Sequence, residues 1–204
     1  MAGTVDVWLF PASALARGAL RAILASYDPQ RRDARALTLR HGEFGKPYLE
    51  ERFVRFNMTH SGDRACVAVS AEAEVGVDLE AHDAALDLAP LVARFFSRAE
   101  RAAFAALPRA QRRRAFFDGW TRREAVFKAL GLGLGIDPDA FDVALEPNAP
   151  RVVAVRDERF VNPCRTLLAL DAGPGFSAAL CVETECGGVR RRALAEAGIA
   201  TSST

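Results

Sequence analysis

The sequence predicts an α+β fold in two lobes, and three observations carry that reading. Strand-length apolar runs follow one another as hairpins, with helices beside them rather than alternating with them, so a doubly wound parallel sheet fits poorly. A polar break near residues 71–75 divides the chain into a lobe over 1–74 and a lobe over 75–186. The length of 204 residues, 50% of them hydrophobic, suffices for a sizeable core without disulfide or metal staples.

The elements follow in order. Val5–Phe10 reads as a strand. Residues 12–27 read as a helix, with Leu15, Ala19, Ile23 and Leu24 on one face. Residues 28–47 are basic and turn-rich, ending in His41-Gly-Glu-Phe-Gly-Lys-Pro47. Phe53–Met58 reads as a strand, and Cys66–Ser70 with Val75–Leu79 as a hairpin. Pro90–Phe96 reads as helical. Ser97-Arg-Ala-Glu100 has the spacing of a capping box and opens a second helix to Leu107. Pro108 starts a long helix to about Leu130, which glycines 131, 133 and 135 end. Val152–Val155, Leu167–Leu170 and Ala178–Glu183 read as strands of a second sheet. The Arg/Ala-rich end, 187–204, reads as a tail, either a frayed helix or disordered.

Composition excludes several classes. With 27 basic and 26 acidic residues the net charge is +1, unlike a protein that coats nucleic acid. No apolar run reaches the ~18–20 residues of a membrane span. The N-terminal stretch has no basic n-region, so no signal peptide is expected. The four cysteines, Cys66, Cys164, Cys181 and Cys186, form no CxxC pair and read as reduced thiols of a cytoplasmic protein. Only two of the 27 basic residues are lysines, Lys46 and Lys128.

Three segments carry candidate chemistry. In Gly76-Val-Asp-Leu-Glu80, Asp78 and Glu80 lie two apart on a strand and share a face. They are either a solvated strand end or a pair of oxygen donors for a cation such as Mg²⁺, which typically takes one or two carboxylates plus substrate phosphates. In Trp120-Thr-Arg-Arg-Glu-Ala-Val-Phe-Lys128, Glu124 and Lys128 are i,i+4 neighbours beside an apolar face of Phe116, Trp120, Phe127 and Leu130. They are either a surface ion pair or a site at the core's rim. Phe56-Asn-Met-Thr-His-Ser61 ends a strand in polar side chains, as a turn or as donors to phosphate oxygens. Gly131-Leu-Gly-Leu-Gly135 follows a helix and lacks the Gly-Lys-Ser/Thr ending, so it is no nucleotide loop.

Gly45-Lys-Pro47, Phe56–Ser61, Gly76–Glu80, Phe95-Phe-Ser-Arg-Ala-Glu100 and Trp120–Lys128 occur in that order. As a set, over about residues 12–185, they resemble the 4′-phosphopantetheinyl transferases of the larger, Sfp-like type. The resemblance implies two similar α+β lobes arranged as a pseudo-dimer, with the active site between them, in a monomer. It implies transfer of the phosphopantetheine arm of coenzyme A to a serine of an acyl or peptidyl carrier protein, with release of 3′,5′-ADP. It implies Mg²⁺ held by Asp78, Glu80 and Glu124, and Lys128 acting on the leaving group. Glu124 or Glu100 would be the base, and Glu100 is equally explained as a helix cap. Arg17, Lys46, Thr59, His60, Arg123 and Lys128 match positions that contact coenzyme A. Arg123 stands where the family usually has Lys, and Thr59 where Ser is common. The alternative is a non-catalytic module of the same fold that binds the carrier protein or coenzyme A. Residues 86–96 are either a docking segment for the carrier or an ordinary core-facing helix.

Overall fold

A computed structural model describes residues 3–132, 136–147, 149–160 and 166–199. The apolar run after Gly3 forms β1 (Thr4–Pro11). The helix expected over 12–27 is two helices, α1 (Ser13–Ala16) and α2 (Ala19–Ala25). Between them Gly18 takes φ +82°, a left-handed conformation that interrupts the helix. The basic turn-rich stretch holds an unforeseen hairpin of β2 (Leu39–His41) and β3 (Pro47–Leu49).

β4 (Arg55–Ser61) and β5 (Arg64–Ser70) pair antiparallel around Gly62 and Asp63, and β6 (Val75–Ala81) follows. The hairpin expected between 66–70 and 75–79 does not form. Both edges of β5 are taken, by β1 and β4, so β6 has no edge to join and crosses to another sheet. There Val75, Val77 and Leu79 pack face-on against Cys66 and Ala68 of the first sheet.

Three helices come next. Asp87 caps α3 (Leu88–Phe95) by accepting from the Ala89 amide. The capping box of Ser97 and Glu100 opens α4 (Arg98–Ala106) as the spacing predicts. α5 (Arg109–Leu130) ends where Gly131 turns left-handed at φ +65°; Gly133 and Gly135 lie outside the described residues.

β7 (Phe141–Val143) and β8 (Val152–Val155) form a separate small hairpin rather than adding to the second sheet. β9 (Thr166–Leu170) and β10 (Phe176–Val182) complete the second sheet in the order β6-β10-β9. The expected tail instead supplies β11 (Gly188–Arg192), which lies parallel to β1 and makes the first sheet β11-β1-β5-β4. Leu194, just beyond it, is buried in the first lobe's core. Residues 200–204 are not among those described.

The layers run α2, first sheet, second sheet, α5. Trp8, Phe10, Ile23, Leu24, Phe56 and Val67 fill the space under α2. Val5, Val7, Ala68, Val77, Leu79 and Leu180 fill the space between the sheets. Ala125, Val126, Phe141, Ala179 and Cys181 join α5 to the back of the second sheet. Each fully buried Val, Leu or Phe contributes about 1.5–3 kcal/mol, so these layers fix where α5 lies. Among the described residues no helix is long and apolar enough to cross a membrane. Cys66 and Cys186 are free thiols, and burial pushes that of Cys66 up to about 12. Cys164 lies outside the described residues.

Candidate active site

β4 and β6 each stand at the edge of their own sheet and meet at a seam. No backbone ladder joins them. The seam is closed by side chains of alternate β4 residues, which share one face. The Val77 amide donates to Asn57 Oδ1 at 2.9 Å. Thr59 Oγ1 donates to Asp78 Oδ1 at 3.2 Å. Ser61 Oγ donates to Glu80 Oε2 at 2.7 Å and accepts from the Ala81 amide at 3.1 Å. Of the three β4 residues, Asn57, Thr59 and Ser61, only Thr59 is matched by the resemblance to a position that contacts coenzyme A. The period-two spacing of 57, 59 and 61 is the signal that points to Asn57 and Ser61 as well.

α5 crosses the outer face of β6. Its approach is so close that a Cβ on Gly76 would lie 2.0 Å from the Ala125 carbonyl and 2.3 Å from the Ala129 nitrogen. Only glycine permits this packing. As expected from the alternation, Val77 and Leu79 face the inter-sheet core. Asp78 faces α5, where Lys128 Nζ donates to its Oδ1 at 2.6 Å. The same ammonium lies 3.4 Å from Thr59 Oγ1. Three elements thus converge on one carboxylate.

That carboxylate is under-satisfied. Asp78 is 3% exposed, and its Oδ2 is buried with no hydrogen-bond partner. Burial raises its pKa to about 7; Lys128 opposes the rise, while the negative charges of Glu80 and Glu124 add to it. The Glu124 carboxyl is also raised, first by burial and then by Glu80, against the pull of Lys128. Asp78 thus feels the charge of Glu80 and Glu124, and Glu124 feels that of Glu80. Among the described residues no three acidic, His or Cys side chains form a ready-made metal cage. A cleft of about 540 Å³ opens beside Glu124, lined by Arg94, Phe95, Trp120, Arg123 and Phe127.

The other expected site residues divide. Thr59 is at the seam, but His60, next on the strand, points to the opposite side and is exposed. Arg17 is exposed at the end of α1, 3.5 Å from Ser13 Oγ. Lys46 donates to Glu74 Oε2, Val75 O and Ala129 O at 2.7, 3.1 and 3.0 Å, which commits all three of its protons to tying the end of α5 to the start of β6. Arg123 is 2% exposed and donates to Glu100 and to the carbonyls of Phe141 and Pro138. Glu100, also 2% exposed, accepts from Arg123, the Ser97 amide and the Val143 amide. Its carboxyl is raised by burial against these partners. Glu100 is thus a cap and one half of a buried ion pair. In the segment 86–96, Val92 and Phe96 are buried, Leu86, Leu88, Leu91 and Phe95 are half-buried, and the other five residues are exposed; Phe95 meets Trp120 edge-on at 4.9 Å.

The model of the 4′-phosphopantetheinyl transferase superfamily matches residues 74–181, more than half of the chain. The chain belongs to that superfamily. The matched stretch holds Asp78, Glu80, Glu100, Arg123, Glu124 and Lys128, and leaves out Arg17, Lys46, Thr59 and His60. Similar proteins include the 4′-phosphopantetheinyl transferase HetI of Nostoc sp., 35% identical over 141 residues, which are 66% of this chain and 57% of that protein. The 4′-phosphopantetheinyl transferase Sfp of Bacillus subtilis is 28% identical over 141 residues, 68% of this chain and 60% of Sfp. The 4′-phosphopantetheinyl transferase AcpT of Escherichia coli is 37% identical over 92 residues, 45% of this chain and 47% of AcpT. The matches thus span about half to three-fifths of the relatives' lengths.

Proposed function

We propose that this member of the superfamily transfers the 4′-phosphopantetheine arm of coenzyme A to a serine of an acyl or peptidyl carrier protein and releases 3′,5′-ADP. The observation that carries the reading is the buried, partnerless Oδ2 of Asp78 at the meeting of β4, β6 and α5, beside two further carboxylates and Lys128. We read the two helix-backed sheets as the two lobes of a pseudo-dimer, with this seam as the active site between them, in a cytoplasmic monomer.

Mg²⁺ fits the donors. Asp78, Glu80 and Glu124 would hold it: their hard carboxylate oxygens bring like charges together and leave Asp78 Oδ2 unsatisfied, and a cation would relieve both defects. An incomplete cage suits an ion that takes its remaining ligands from substrate phosphates and water. When bound, Mg²⁺ supplies neutralisation of the pyrophosphate charge.

The residues divide the remaining work. Glu124, raised above the usual carboxylate range at the rim of the cleft, accepts the proton of the carrier serine. The serine oxygen then bonds to the phosphorus that carries pantetheine as the phosphoanhydride P–O bond breaks. Lys128 meets the charge on the departing 3′,5′-ADP. Glu124 is favoured over Glu100 as the base, since the Glu100 oxygens are already engaged by Arg123 and two amides. Thr59 supplies a hydroxyl at the seam, while His60 and Arg17 supply contacts to the coenzyme from exposed positions. Lys46 reaches a phosphate only by releasing Glu74, so its first role and that of Arg123 is to hold α5.

Intact-mass measurement of an apo carrier protein with this protein, coenzyme A and Mg²⁺ tests the reading: a gain of about 340 Da is expected, the mass of the arm in this transfer. No gain across fatty-acid, polyketide, nonribosomal-peptide and siderophore carriers contradicts it.

A further inference from the structure

Away from the seam, α5 makes a second polar contact with the second sheet that the reaction does not use. Ser177 on β10 is buried, and its Oγ donates to Asp118 Oδ1 of α5 at 2.5 Å. That hydroxyl has one proton, and Asp118 takes it, so Ser177 Oγ accepts from His82 Nε2 at 2.8 Å. The His82 ring lies stacked on Phe117 of α5 at 4.9 Å, and Arg114 Nε donates to Asp118 Oδ2 at 3.3 Å. The chain His82–Ser177–Asp118 joins the end of β6, the start of β10 and α5. Ser177 is too buried, and its proton too firmly directed at Asp118, to be a nucleophile.

Its position in the register gives it meaning. Ser177 is the direct cross-strand partner of Glu80, and Ala179 that of Asp78. Asp118 and Ala125 lie seven residues apart on α5, two turns along nearly one line of the helix. α5 is therefore held to β6 and β10 at two points on that line. At one end, Gly76 admits the backbone of Ala125 and Ala129. At the other, about 10 Å away along the helix axis, Asp118 is bonded to Ser177. Lys46, Arg123 and the packing of Ala125 and Val126 hold the C-terminal half of the helix, and the bond at Asp118 adds a polar fastening at its middle that bears on its axial position and rotation. Glu124 and Lys128 stand on the flank of this line, so their placement against Glu80 and Asp78 depends on both points.

We propose that Ser177 and Asp118, steadied by His82, are positioning residues that fix α5 so that Glu124 and Lys128 meet the carboxylates of β6. The consequence for turnover rests on the transferase reading above; the consequence for Lys128 does not.

The test compares Ser177→Ala with the hydroxyl-keeping Ser177→Thr in the full chain. Two readouts are used: steady-state transfer to a carrier protein, and ¹³C NMR of protein labelled at lysine Cε. With only two lysines, the spectrum holds two resonances, assigned with Lys46→Arg. Ser177→Ala is expected to lower kcat about 10-fold with KM for coenzyme A within about twofold, as a loss confined to the transition state requires. It is expected to move the Lys128 resonance, and to move that of Lys46, beside the point that stays, much less. Ser177→Thr is expected to restore both readouts. An unmoved Lys128 resonance in Ser177→Ala, or a Thr variant as impaired as the Ala variant, overturns the proposal. A wild-type protein that transfers nothing while Ser177→Ala still moves Lys128 overturns the transferase reading and upholds the positioning of α5.

Discussion

Two buried aspartates, Asp6 and Asp78, are each 3% exposed and each paired with cations, yet their surroundings are opposite. Asp6 on β1 accepts from Tyr27 Oη at 2.6 Å, from Arg190 at 2.7 and 3.0 Å, and from Arg192 at 3.1 Å. Burial alone would raise its pKa, but the bonds from Arg190 and Tyr27 outweigh it and hold the carboxyl below the usual range. Asp78 has one ammonium and one hydroxyl on a single oxygen, nothing on the other, and two carboxylates for neighbours. Asp6 is a finished joint that fastens β11 to the first sheet. Asp78 is left incomplete at a cost in stability, which the folded protein tolerates where function requires a charge to be met by something from outside.

Glu124→Ala breaks the functional side of this contrast most severely. It removes the proposed base and a proposed cation ligand together, so transfer is expected to fall at least ~10²-fold with the far-ultraviolet circular dichroism unchanged. A mass-shift rate within a few-fold of wild type would mean that both roles belong elsewhere.

Asp6→Asn breaks the structural side. It should cost about 2 kcal/mol and lower Tm by roughly 4–8 °C, because charge-assisted bonds are lost from a buried position. Two of its partners remain partly solvated, which keeps the loss below that of a fully buried pair. The effect should fade in acid, where wild-type Asp6 is itself protonated. An unchanged Tm at pH 7 would deny the joint its role.

Asp78→Asn should do the reverse. The folded pKa of about 7 lies above the ordinary 3.8, so between these values the folded state binds more protons than the unfolded, and stability falls as pH rises through that window. The variant should melt roughly 2–4 °C above wild type at pH 8, as about 1 kcal/mol of relief implies. The gain should vanish below the ordinary value of 3.8. A variant less stable than wild type at pH 8 would show that the Lys128 pair outweighs the burial of the charge.

Lys128→Arg is the mildest change. A guanidinium keeps the charge but not the compact shape or the ability to lose a proton, so kcat should drop about 10-fold while folding is retained. Full activity would make the lysine's retention in this arginine-rich chain incidental.

The half of the molecule that holds most of the proposed site was the more legible half in the sequence. Alternation on β6 placed Asp78 and Glu80 on one face, and i,i+4 spacing joined Glu124 to Lys128, because both depend only on local periodicity. The capping box at Ser97 is local in the same way. What escaped was set by distant partners. β6 could not be assigned its sheet without knowing that β1 and β4 occupy both edges of β5. The strand at 188–192 is Arg-rich and looks solvated until Asp6, some 180 positions earlier, is set beside it. The commitment of Arg123 to Glu100, and of Lys46 to Glu74, likewise joins segments that carry no mutual signal in one sequence.

The central claim is that the unfinished carboxylate, not the finished one, does the chemistry. Single-turnover intact-mass measurement of an apo carrier protein, with Asp78→Asn, Asp6→Asn and wild type at a temperature where all three are folded, tests it directly. The account predicts transfer by wild type and by Asp6→Asn at similar rates, and none by the more stable Asp78→Asn. Transfer by Asp78→Asn at the wild-type rate would contradict it.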